Sequence, residues 1–170
     1  MDAVLNMLVD LVDEGFDHQS WHGTSLLGSI RGVNAARASW RPSAERHSIW
    51  ELTVHAAYWK YAVRRRITGE KRGTFACVGS NWFARPASDP HGSTPASGKE
   101  NDRAWKADVR LLVDEHRRLR EAVAALDRRA LTRPISGKRY SVAFLVRGIA
   151  AHDLYHAGQI QLLKKLELGS

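Results

Sequence analysis

The sequence predicts an all-α protein, a four-helix bundle with one long crossover loop. Three observations carry this. Apolar residues recur at three- and four-residue steps in four stretches, the spacing that puts them on one face of a helix. Capping residues stand where these stretches begin and end. No stretch alternates apolar and polar residues as a half-buried strand would.

Leu5, Leu8, Leu11 and Val12 give a first helix over about 2–16. The segment Asp17 to Gly23 breaks the pattern, and Thr24 or Ser25 caps a short helix reaching about Val33. Arg41-Pro42-Ser43 reads as a loop. Ser48-Ile49-Trp50-Glu51 fits a capping box, with Ser at the cap and Glu three residues on. It opens a helix to Thr68 that Gly69 closes. From Lys71 to Gly98 the chain is punctuated by Gly73, Gly79, Pro86, Pro90, Gly92 and Pro95, the mark of a long connection, with a helical turn expected at Asn81–Ala84. Trp105, Val109, Leu112, Val113, His116, Leu119, Val123 and Leu126 mark a helix from Asn101 to about Asp127. After a loop at 132–137, Ser141 caps a last helix, 142–167. One domain over 1–170 accommodates all of this.

The bulk numbers narrow the function. No window is apolar enough to span a bilayer, and the first residues do not resemble a secretory signal. The lone Cys77 cannot form an internal disulfide, which suits the cytoplasm, and no catalytic part is expected of it. The net charge of +8 invites an anionic partner. The basic residues are spread over several helix ends and polar faces without interleaved aromatics, so a nucleic-acid groove is disfavoured.

Histidines interrupt two of the apolar seams. In the last helix the seam reads Val142, Leu145, Ile149, His152, His156, Gln159, Leu163, Leu166. In the helix after Ser48 it reads Ile49, Leu52, His55, Trp59, Val63, Ile67. Histidine fills a core poorly unless both ring nitrogens are satisfied, and a metal ion satisfies one. His152 and His156, four apart, project from one helix face and can hold one ion together, with His55 as third ligand from a facing helix. His18 and His22 form a rival pair at the same spacing, in a stretch with weak helical pattern, and His22 is also a candidate for the cavity mouth. His47 reads as surface, His91 as loop and His116 as half-buried. Glu51, one turn before His55, is a candidate catalytic base or orienter of a ligand, in competition with its place in the capping box. Asp153 points about 100° away from His152, so it is expected to face solvent or to pair with a neighbouring helix. Trp59, Tyr155 and Gln159 are the expected cavity lining, Gln159 within reach of a ligand imidazole.

Ser48 to His55, with Trp59 and Gly69, and later His152-x-x-x-His156-x-Gly158-Gln159-Ile160, resemble the DinB-like superfamily from about Leu5 to Leu166. The resemblance implies a four-helix bundle, a divalent metal held by His55, His152 and His156, and frequent dimerisation. It implies no single reaction, since the family hosts thiol S-transferases, isomerases and metal-dependent hydrolases. The expectation is a zinc or nickel site that activates a low-molecular-weight thiol, or water, toward a small-molecule electrophile. A structural metal in a binding or dimerisation module is the alternative.

Overall fold

The protein is described by a computed structural model over residues 2–87, 98–135, 137 and 139–169. The expected loop positions Pro90, His91, Gly92, Pro95 and Ser136 lie outside the described residues. The helices are α1 (Ala3–Phe16), α2 (Leu26–Ile30), α3 (Ala35–Ser39), α4 (Ile49–Thr68), α5 (Lys99–Ala124) and α6 (Val142–Leu168), with a 3₁₀ turn at Arg129–Thr132 and, among the described residues, no strand. The four long helices form an all-α bundle in which α1 packs on α5 and α6, and α4 packs on α5 and α6. No described helix is long and apolar enough to cross a membrane.

Local chemistry sets the ends. The Ser25 hydroxyl accepts from Gly28 N–H, and Ser141 from Phe144 N–H. Ser48 and Glu51 form the reciprocal capping box, and Gly69 closes α4 at φ 82°, a conformation open to glycine without steric cost. α5 stops at Ala124 rather than near Asp127 because the Asp127 carboxylate caps the following 3₁₀ turn, accepting from Ala130 N–H at 2.7 Å. That turn and α3, whose cap is Asn34, are too short for a periodicity to reveal. The expected helical turn at Asn81–Ala84 does not form; Asn81 sits at φ +66°, which ends any right-handed helix there and which Asn tolerates better than most residues.

The core has two apolar parts. One joins Phe16 and the α2–α3 residues to Ile49–Ala57 of α4, Trp105 and Leu112 of α5, and Ile160 and Leu163 of α6. The other joins Leu5–Val12, Val63 and Ile67, Leu119 and Val123, and Val142–Ala150. Between them, at matching heights on four helices, lie buried polar residues: Asp13, Lys60, Glu115, His116 and Asp153.

This layer corrects the α6 seam. The buried face runs Val142, Leu145, Val146, Ile149, Ala150, Asp153, His156, Ala157, Ile160, Leu163; it keeps five of the eight expected seam positions and adds Asp153, fully buried, near its centre. His152 and Gln159 fall to its half-buried shoulder and Leu166 is exposed. Two contacts hold this face. Lys60 of α4, itself fully buried, is ion-paired to Asp153. Gly15 lets α1 approach closely, since a Cβ there would lie 3.1 Å from the Ala150 carbonyl oxygen. Of the two expectations for Asp153, pairing with a neighbouring helix holds and solvent exposure does not.

Candidate metal centre

α4 and α6 run antiparallel, which brings His55 opposite His152 and His156. The Nε2 atoms of His55 and His152 are 3.2 Å apart, and those of His156 and His152 are 3.0 Å apart. Nitrogens held tetrahedrally at about 2.0–2.1 Å from one zinc ion would be about 3.3–3.4 Å apart, so these rings stand within about 0.4 Å of the spacing of a shared ion. Among the described residues this trio is the one group of three or more His, Cys, Asp or Glu side chains close enough to hold a metal.

Hydrogen bonds at the far side of two rings assign their tautomers. His55 Nδ1 lies 2.9 Å from the Asn81 carbonyl oxygen. A carbonyl only accepts, so Nδ1 carries the proton and Nε2 is bare. Gln159 donates through Nε2 to Tyr155 Oη at 3.3 Å, which turns its Oε1 toward His156 Nδ1 at 2.6 Å. His156 therefore also presents a bare Nε2. A proton on His152 Nε2 can satisfy one of the two contacts and leaves the other lone pair unmatched. A cation would take up all three Nε2 lone pairs. His152 Nδ1 is buried without a partner.

Burial keeps the rings neutral, the form that binds metal. It pushes the His55 pKa down to about 4, with the neighbouring His156 and His47 adding to the effect against the Asn81 bond. It pushes His152 down to about 3, again with its histidine neighbours and Lys60 acting in the same direction. His156 is also lowered by burial, against the opposing bond to Gln159.

Trp59 is edge-on to His55, with its indole N–H donating to Asn81 Oδ1 at 2.9 Å, and lines the smaller cleft at His152. Tyr155 and Gln159 line a cavity of about 680 Å³ that reaches His156. Glu51 is placed in the cap: its carboxylate accepts from Ser48 N–H at 2.9 Å and pairs with Arg41. It lines neither this cavity nor the smaller cleft at His152. The rival pair does not assemble. His18 is exposed and bonded to Asp17, while His22 lines a separate depression with Leu154 and Gln161. Cys77 accepts from Arg85 at 3.2 Å, away from the cluster. His116, expected half-buried, is buried and stacked on Phe16.

Three residues at the site escaped the sequence reading. Asn81 orients both His55 and Trp59. The Trp82 ring is stacked between His55, at 3.9 Å, and His47, at 3.5 Å between centroids. His47 is exposed as expected, yet it lines the same cavity as His156. All three sit outside regular helices, where no periodicity points to a face. A helix-disfavouring Asn next to a Trp in a glycine-punctuated loop was the one available signal.

The model of the DinB superfamily matches residues 18–160. No curated protein and no solved structure matches the chain.

Proposed function

The chain belongs to the DinB superfamily, and on that premise we propose that it is an enzyme whose His55, His152 and His156 hold one divalent ion, zinc or nickel, to activate a low-molecular-weight thiol or water toward a small electrophile. The convergence of three Nε2 atoms, two of them without protons, is the observation that carries the reading. An ion bound by three neutral imidazoles supplies a Lewis acid that brings a thiol or water toward its deprotonated form near neutral pH. The rest is work for the chain. Asn81 and the Gln159–Tyr155 pair hold two imidazoles in the ligand tautomer. Trp59 and Trp82 cover His55 and keep water off that side. The cavity at His156 gives a small molecule room, with His47 and Gln159 as polar contacts. We take the protein to be one domain throughout, cytoplasmic and a homodimer. The outer face of α6, with Phe144, Tyr155 and Leu162 each more than half exposed, is compatible with pairing.

A non-enzymatic, structural metal is the second reading. The observation that favours it is the engagement of Glu51 in the cap and with Arg41, which leaves the cavity at His156 with the exposed Glu45 as its carboxylate.

Elemental analysis of untagged protein should find close to one divalent ion per chain, lost in the His152→Ala/His156→Ala variant. Conjugation of a chromogenic electrophile to glutathione, bacillithiol, mycothiol or cysteine should require the ion and fail in His55→Ala. Near-stoichiometric metal in the double variant would sink the site. Silence with every thiol at full metal loading would turn the reading to hydrolysis or to the structural metal.

A further inference from the structure

A narrow cleft of about 180 Å³ follows the groove between α4 and α6. Trp59, Val63 and Arg66, at steps of four and three, form its α4 wall, and Leu145, Ile149 and His152 its α6 wall. One end is the ligand histidine; the other is a guanidinium. A single indole connects them: the Trp59 ring lies 6.2 Å from the His152 ring and 5.5 Å from Arg66 Cζ. Arg66 also borders a second cavity, of about 290 Å³, with Arg65 and Arg72 on its wall and Tyr58, Tyr61 and Phe75 beneath. Neither lining contains a carboxylate. Glu70, the nearest acid in sequence, is paired to Arg64 instead. Arg41, Arg64, Arg85 and Arg120, by contrast, are each paired with an acid. Three guanidinium groups gathered without a counter-ion attract an anion, and planar guanidinium groups favour carboxylate or phosphate oxygens.

We propose that this cleft and the adjoining arginine-lined cavity bind a small anionic molecule, its carboxylate or phosphate on Arg66 with Arg65 and Arg72, its apolar part along Trp59, and its far end toward His152. This rests on the reading that the three histidines form the reacting centre, and it defines the substrate class for that centre: an amphipathic acid rather than a neutral electrophile. The anion site itself needs no metal.

The probes are 3-phenylpropanoate, phenyl phosphate, inorganic phosphate and the neutral 3-phenylpropanamide, titrated into the full chain while the assigned Trp59 indole N–H resonance is followed by NMR. Both aromatic acids should shift that resonance saturably and compete with each other. Inorganic phosphate should bind more weakly, and the amide should not bind. Arg66→Gln should weaken both acids about tenfold or more, the loss expected for one charge-assisted contact, while Arg66→Lys should retain part of the affinity. Far-UV circular dichroism and metal content of each variant verify the fold. Equal binding of the amide, or undiminished binding in an Arg65→Gln/Arg66→Gln/Arg72→Gln variant, would overturn the proposal. So would binding only of a single-stranded oligonucleotide with a steep salt dependence, which would mark a surface charge effect. Binding of the acids by metal-free His152→Ala protein would uphold the anion site even if the metal reading failed. A fully metal-loaded protein that ignores both acids would defeat this inference alone.

Discussion

Two polar clusters meet at α4 and α6, one of them reaching on to α1 and α5, and they solve the problem of burial in opposite ways. In one, charge answers charge. Lys60 pairs with Asp153 and lies 3.4 Å from His116 Nδ1; a lysine only donates, so His116 carries its proton on Nε2, 3.6 Å from Asp13, which holds Arg120 through two contacts at 2.8 and 2.9 Å. Two cations, two anions and a neutral ring close on themselves. In the other, three imidazoles turn their Nε2 atoms toward one another, and among the described residues no acid or further donor answers them. The first cluster balances its charges without a ligand, although Asp153 Oδ1 is buried without a hydrogen bond. The second, on the proposed reading, is completed by a cation. A buried polar group is thus informative about function when its partner is missing, and mainly about architecture when its partner is present.

The sharpest way to break this contrast is to open the closed cluster. Lys60→Met leaves Asp153 buried without its cation and should destabilise the fold by about 3–5 kcal/mol in a denaturant titration. Lys60→Met/Asp153→Leu should recover most of that loss, because an apolar pair of similar volume can replace a buried ion pair. A single variant costing under about 1 kcal/mol, or a double variant worse than either single, would show that the pair does not hold α4 against α6.

Acid separates the clusters further. Burial, helped by Lys60 and Arg120, pushes the His116 pKa down to about 2 from an ordinary 6.5. The unfolded chain takes up that proton below about pH 6.5 while the folded chain refuses it. The stability from neutral His116 is therefore complete above pH 6.5 and falls as the pH drops, by about 1.4 kcal/mol per unit. Asp153, whose pKa burial raises, acts in the opposite sense at mildly acid pH. A comparison of wild type with His116→Gln isolates the histidine: the variant should lose stability less steeply between pH 6 and 4. Parallel curves would mean that His116 is already protonated in the fold.

The smallest effect expected concerns the orientation of one ligand. Gln159→Leu removes the acceptor of His156 Nδ1 and should weaken metal affinity by about 10–100-fold with little change in metal-free stability. Unchanged affinity in a competition titration with a chromogenic chelator would show that Gln159 does not set the tautomer.

Much of this was legible in the sequence, and what was not has a common cause. The caps at Ser25, Ser48, Gly69 and Ser141 are local chemistry, and the structure has them all. His55, His152 and His156 stood out because a ring with two nitrogens is conspicuous on an apolar seam. The centre of the α6 face was not legible, because Asp153 looks like a surface residue until Lys60, 93 positions away, is beside it. A lysine within a helix likewise reads as solvated. Asn81 and Trp82 belong to a loop whose path is set by what it packs on: Tyr61 Oη accepting from Gly73 and Thr74, and Arg85 reaching Asp108. Sequence reports what a residue demands of its surroundings; only tertiary contact reports who supplies it.

His55 and His152 are separated by 97 positions along the chain and joined at their ring nitrogens in space. An ion gripping both would act as a crosslink, closing a loop that contains most of α4, all of α5 and the start of α6. By the loop-entropy argument used for disulfides, a tie across about 100 residues is worth on the order of 4–5 kcal/mol against the unfolded chain. Cys77 has no second thiol in this sequence with which to form such a tie. The ion would be its replacement, and a chelator would do to this fold what a reducing agent does to a disulfide-bonded one.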